Sequence, residues 1–111
     1  MKDLSDWITK LKASKRLIIV EGKKDKAALE SFGVKNIITL NKPLFVIVEE
    51  VSLNTKECII LTDLDEEGRK LYHSLKHQLQ RNGVKIDTKF REFLFRTKVT
   101  CIENLPKQLN L

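Results

Sequence analysis

Two apolar runs, each ending abruptly in acid, constrain this chain more than any other feature. Leu17-Ile18-Ile19-Val20 runs into Glu21-Gly22, and Ile59-Ile60-Leu61-Thr62 runs into Asp63-Leu64-Asp65-Glu66-Glu67-Gly68. An unbroken apolar run, without the polar alternation of a half-exposed strand, marks a strand covered on both faces. Such a sheet needs helices on each side, and strands joined through helices run parallel.

The rest of the chain supplies that alternation. Leu4, Trp7, Ile8 and Leu11 follow the i, i+3, i+4, i+7 spacing of one helical face, which predicts an amphipathic helix over 3–13, with Asp3 or Ser5 able to cap it. After the strand at 17–20, Ala28, Leu29 and Phe32 predict a helix over 25–32 ended by Gly33, and a short strand follows at 36–40. Leu44-Phe45-Val46-Ile47-Val48 has the composition of a strand. Leu44, Ile47, Val48 and Val51 nevertheless fit helical spacing, and Pro43 suits a first helical position, so 43–54 reads as a helix. A strand over 57–62 leads into a long helix over 66–82, with Leu71, Tyr72, Leu75 and Leu79 inward and Arg69, Lys70, His73, Lys76 and His77 outward. Residues 84–87 form a short fourth strand, Phe90, Phe93 and Leu94 suggest a short helix, and Thr100-Cys101-Ile102-Glu103 has the spacing of a capping box. The fold class is α/β: one domain over 1–111, core 17–86, with an N-terminal helix and a helical extension over 88–111. About four mainly parallel strands carry helices on both faces, and such sheets bind ligands at the carboxyl ends of their strands.

That rule singles out the acids. Side chains two apart on an extended chain share a face, so Asp63 and Asp65 can aim at one point. If the first and third strands are neighbours, Glu21 joins them. Carboxylates gathered in this way are unfavourable unless a cation or raised pKa values relieve them. Magnesium is the natural cation, since it takes oxygen ligands and is held by one or two carboxylates plus substrate phosphates; manganese is the alternative. Each residue also has a purely structural explanation: Asp65 can cap the following helix, Glu66 and Glu67 suit its dipole, and Glu21 can lie on the surface. Gly68 in the first helical turn costs up to about 1 kcal/mol relative to alanine, which implies close approach of a ligand or another backbone. Lys23 and Lys24 lie at the start of the helix after Glu21, where free amides and ammonium groups can hold a phosphate. His73 and His77, one turn apart, read as surface histidines, and Cys58 as a small core residue; the cysteines have no ligand spacing.

The net charge is +6, and its distribution is uneven: from Arg69 to Lys98 there are nine basic residues against two acids, Asp87 and Glu92. A basic surface beside an acidic pocket suits a polyanion held while a cation works on it, which makes RNA or DNA the expected partner. No spanning segment or signal peptide is visible, so the expectation is a cytoplasmic protein without membrane contact. The opening helix and the segment 90–95 are the candidate surfaces for a protein partner or homodimer.

Val20-Glu21-Gly22-Lys23-Lys24-Asp25 and, 42 positions after the glutamate, Asp63-x-Asp65-x-Glu67-Gly68 together resemble the Toprim domain over about Leu17 to Ile86. That domain is shared by type IA topoisomerases, bacterial-type primases, overcoming-lysogenisation-defect nucleases, recombination-repair proteins and small ribosomal-RNA maturases. The likeness is greatest to small stand-alone primase-like proteins and to the maturase version. The resemblance implies a compact doubly wound, Rossmann-like fold with the first and third strands adjacent. It assigns Glu21 to acid/base work or metal binding and Asp63 and Asp65 to magnesium, with Glu67 matching the third acid of the topoisomerase version. Around them, Gly22, Lys23, Lys24, Gly68 and Arg69 are the candidates for phosphate or nucleic-acid contact. Leu40-Asn41-Lys42 lacks the glycine usual after the second strand, the only tyrosine, Tyr72, falls on an inward helical face, and the single domain read here is expected to come without the template- and helicase-binding domains of a primase. The expected activity is therefore magnesium-dependent phosphodiester cleavage or a related phosphoryl transfer. The alternative is a non-catalytic nucleic-acid-binding or assembly module with a vestigial or structural metal site. A receiver-like phosphoacceptor would instead need an acidic pair after the first strand and a lysine after a fifth.

Overall fold

The computed structural model describes residues 1–97 and 99–109. Its elements run α1 (Leu4–Ser14), β1 (Leu17–Val20), α2 (Lys23–Glu30), β2 (Ile37–Thr39), α3 (Leu44–Asn54), β3 (Glu57–Ile60), α4 (Glu66–Arg81), β4 (Lys85–Ile86) and α5 (Lys89–Phe95), then a 3-10 turn (Ile102–Asn104) and α6 (Leu105–Gln108). The four strands form one parallel sheet in the order β2-β1-β3-β4. The two acid-ended apolar runs are its central strands, in register Ile18 to Ile59 and Ile19 to Ile60.

Alternation along these strands divides the core in two. Ile18, Val20, Ile59 and Leu61 face α1, α2, α5 and the C-terminal turns, while Ile19, Cys58 and Ile60 face α3 and α4. Both layers are closed, which is why the runs stay apolar through Val20 and through Leu61. In the first layer the Trp7 indole N–H donates to the Phe90 carbonyl at 2.8 Å and its ring meets Phe90 edge-on, fastening α1 to α5. In the second layer Cys58 is fully buried, and burial pushes its thiol up to about 12, so it packs as an inert small hydrophobe.

Local chemistry explains most boundaries. The strand-like run after Pro43 is helical because the Pro43 carbonyl accepts from the Val46 and Ile47 amides, after which Ile47, Val48 and Val51 reach the core. The α2 helix starts two residues before the predicted position, because the Asp25 carboxylate accepts from the Gly22 N–H at 2.9 Å and draws Lys23 and Lys24 into the first turn. It ends at Glu30, and Gly33 takes the left-handed conformation (φ 87°) that follows a helix end. Beyond β3, the Leu61 N–H still donates to the Ile19 carbonyl at 2.8 Å, which carries the pairing up to the acidic loop. The capping box expected at Thr100–Glu103 does not form. Cys101 precedes the 3-10 turn without a side-chain cap, and the Thr100 carbonyl instead accepts from the Leu64 N–H at 2.9 Å. Among the described residues, no helix is long and apolar enough to cross a membrane.

Candidate metal and nucleic-acid site

After β1 the chain turns into α2 on one face of the sheet, and after β3 into α4 on the other. The carboxyl ends of these adjacent strands thus form the topological switch point where ligands of doubly wound sheets bind. Glu21 and Asp63 meet there. Glu21 Oε1 accepts from the Asp63 backbone N–H at 3.0 Å, a bond joining the ends of two strands across 42 residues of sequence.

The loop carrying Asp63 is held from every side. Arg91, reaching in from α5, donates from Nη2 to the Asp63 carbonyl at 2.8 Å and from Nε to the Thr62 carbonyl at 3.4 Å. The buried Thr62 hydroxyl donates to the Gly68 carbonyl at 2.7 Å, Arg69 Nε to the Leu64 carbonyl at 3.0 Å, and the Ile102 N–H to Asp63 Oδ1 at 3.3 Å. Gly68 completes the arrangement by contact. A Cβ there would lie 2.0 Å from the Asp63 carbonyl oxygen, so the close approach foreseen at this glycine is to backbone.

The predicted residues divide into groups. Glu21 and Asp63 are half-buried and together. Asp65 is exposed and accepts from the Gly68 N–H at 2.7 Å as the N-cap of α4, and Glu67 is exposed on the first turn of that helix. Gly22 is the N-cap of α2, with Lys23 and Lys24 exposed on its first turn, and Arg69 is exposed while bracing Leu64. His73 and His77 are both exposed. Tyr72 is buried, and burial raises its phenol. Among the described residues no three histidine, cysteine or acidic side chains gather as a metal cage.

Burial is the largest cause of raised pKa values at Glu21 and Asp63; the backbone hydrogen bond each accepts opposes it, and neighbouring carboxylates add to it. For Glu21 those neighbours are Asp63, Asp65 and Asp25, and for Asp63 they are Asp25, Asp65 and Glu103. Two hard oxygen donors in a strongly negative setting, with no closed cage, fit magnesium, which keeps its waters and completes its shell with substrate phosphate.

These shifts have a sign. A carboxyl whose folded pKa exceeds its unfolded value binds protons more tightly when folded, so its ionisation lowers stability as pH rises from the unfolded value, near pH 4, through the raised folded one. Glu21→Gln keeps an acceptor for the Asp63 N–H but removes that charge. In metal-free buffer it is expected to melt above the wild type at pH 7, with the gap closing towards pH 4. A gap that widens on acidification would contradict the raised pKa.

Two site residues escaped sequence reasoning. Asp25 is 7% exposed and carries a carboxyl raised chiefly by burial. Its signal was the Gly22-x-x-Asp25 spacing, which is half of a capping box. Arg91 was counted within the basic surface, but it is 3% exposed and serves as a structural clamp. Of the other basic residues in that segment, Arg69, Lys70, Arg81, Lys85, Lys89 and Arg96 are exposed and Lys76 is half-buried; Lys98 lies outside the described residues.

A family model described as Toprim domain matches residues 15–88. The chain belongs to the Toprim family. It is 39% identical to the UPF0292 protein of Methanocaldococcus jannaschii over 107 residues, 91% of this chain and 84% of that one. It is also 39% identical to the UPF0292 protein of Pyrococcus abyssi over 105 residues, 94% and 80%. Among solved structures, a putative protein from Aquifex aeolicus superposes with a TM-score of 0.89 at 36% identity, covering 94% of this chain and 99% of that one. Toprim domains generally bind magnesium, and membership points to work on nucleic acid. The matched Toprim span includes Glu21 and Asp63 but stops short of Arg91 and Ile102, which hold the Asp63 loop from outside it.

Proposed function

We propose that this Toprim protein binds an RNA or DNA strand and carries out magnesium-dependent phosphodiester cleavage, or a related phosphoryl transfer, at the Glu21–Asp63 edge of its sheet. The observation that carries the reading is the contact between Glu21 Oε1 and the Asp63 N–H, which brings two acids from separate strands together at the switch point. In this reading Asp63 and Asp65 hold the metal, and Glu67 ligates it directly or through water. Glu21 moves the proton or binds a second metal; burial and the neighbouring carboxylates raise its pKa, the direction that favours acid–base work. Magnesium, when bound, polarises a phosphoryl oxygen. The exposed Lys23 and Lys24, with the amides at the start of α2 beside Gly22, orient the phosphate, and Arg69 extends the cationic path; Gly68 acts indirectly, by letting the Asp63 loop pack against α4.

A labelled structured RNA and a labelled DNA strand, each incubated with magnesium or with EDTA, test this. Cleavage is expected only with magnesium, and Glu21→Gln and Asp63→Asn are expected to slow it on the order of 100-fold. Cleavage undiminished in both variants would overturn the assignment. Magnesium alone is expected to raise the melting temperature, by an amount that corresponds to about 2.7 kcal/mol at a hundred times its Kd, and Asp63→Asn to abolish the rise.

A second reading, a binding or assembly module without turnover, draws on the Ile102 N–H, which occupies Asp63 Oδ1. It predicts salt-dependent binding with no magnesium-dependent product.

A further inference from the structure

Behind the Asp63 loop, between α4 and α5, lies an open cavity of about 210 Å³ that the proposed chemistry does not use. Its walls are cationic and aromatic. Arg69, Tyr72, His73 and Lys76 come from α4 and Arg91 and Phe95 from α5; Glu92 is the one carboxylate in the lining. The Arg91 guanidinium is buried, lies 4.2 Å from the centre of the Tyr72 ring and 5.6 Å from that of Phe95, and gives two of its N–H groups to neutral backbone carbonyls. Among the described residues no carboxylate lies within ion-pair distance of Arg91. Lys76 Nζ sits 5.8 Å from the Tyr72 ring centre, and Phe95 is 57% exposed at the rim.

A buried cation without an acidic contact, beside an exposed aromatic ring, suits an anion attached to a flat apolar group. Single-stranded nucleic acid presents that combination at every nucleotide: a phosphate for the cations and a base face for the ring. Small-molecule pockets usually span about 300–1,000 Å³, so this cavity takes one phosphate and the edge of one base. The same two arginines brace the loop bearing Asp63, which ties the cavity to the acidic edge.

We propose that the cavity between α4 and α5 is a subsite for single-stranded nucleic acid, with a phosphate held by Arg69, Lys76 and Arg91 and the adjoining base stacked on Phe95. The inference rests on the proposed function in that it makes this strand the one whose phosphodiester reaches Glu21 and Asp63.

Binding of a short fluorescein-labelled oligouridylate, followed by anisotropy in EDTA over a range of salt, tests the subsite without turnover. Lys76→Ala and Phe95→Ala remove groups at the rim, and Arg91 is left intact because it holds the loop. Phe95→Ala is expected to weaken binding at least about fivefold, and Lys76→Ala to lower the slope of log K against log salt by about 0.7. Both variants binding as the wild type would overturn the subsite. So would a loss confined to Lys76→Ala that is matched on polyglutamate, since that marks a general surface for acidic proteins. If both variants bind as the wild type while Glu21→Gln still abolishes cleavage, the subsite falls and the proposed function stands. If both weaken binding while Glu21→Gln and Asp63→Asn cleave normally, the subsite stands and the proposed function falls.

Discussion

Gly68→Ala is expected to cost more than about 4 kcal/mol, a large part of the roughly 5–15 kcal/mol that holds a domain folded. On helix propensity alone the change would be favourable by about 1 kcal/mol. The added methyl, however, would lie 2.0 Å from the Asp63 carbonyl oxygen, 2.6 Å from its carbon and 2.9 Å from its nitrogen. All three atoms are backbone, held by Glu21 and Arg91, so no side chain can swing aside and the loop or the first turn of α4 must move. Gly83→Ala is the control. It sits at φ 82° with nothing within 4 Å, so its cost is the left-handed conformation alone, about 1–2 kcal/mol. Urea unfolding followed through Trp7, the only tryptophan, measures both. A difference of less than 1 kcal/mol between the two variants, on the order of the propensity scale itself, would contradict the close approach.

The second large effect is expected at Arg91. Arg91→Ala removes the donors to the Thr62 and Asp63 carbonyls and the stack on Tyr72 at a buried position. An unsatisfied buried acceptor costs about 1–3 kcal/mol, and two acceptors with the lost packing give an expected loss of about 3–4 kcal/mol in the urea experiment. Arg91→Lys is expected to recover less than half, because an ammonium cannot address two carbonyls as a planar fork or stack on an aromatic ring. Full recovery by lysine would mean that charge alone matters at this position.

The architecture was legible wherever a local rule had no strong competitor. Leu17–Val20 and Ile59–Leu61 are apolar at every position because both faces are covered, and Pro43 with the spacing of Ile47, Val48 and Val51 outweighed the strand-like composition of α3. Adjacency of β1 and β3, implied by the family resemblance, is the arrangement of the sheet. What stayed hidden is tertiary. Nothing within Arg91's own neighbourhood distinguishes it from Lys89 or Arg96; its role depends on carbonyls 28 and 29 residues earlier in the chain. Asp65 and Asp63 look alike in sequence, yet one caps a helix and the other turns towards Ile102. Spacing brings carboxylates to a sheet edge; the partners of each oxygen are decided by segments that arrive from elsewhere.

The clamp formed by Arg91 and Ile102 also fixes what the sheet owes to the end of the chain. All four strands lie before Asp87. The first helix nevertheless finds its partner in Phe90, 83 residues after Trp7, and the Asp63 loop finds its own in Arg91 and Ile102. A chain stopped at Ile86 is therefore expected to contain every strand yet leave one apolar layer uncovered and its acidic edge loose, which limited proteolysis of such a truncation would detect. The last quarter of the chain closes the apolar layer and fixes the acids in place.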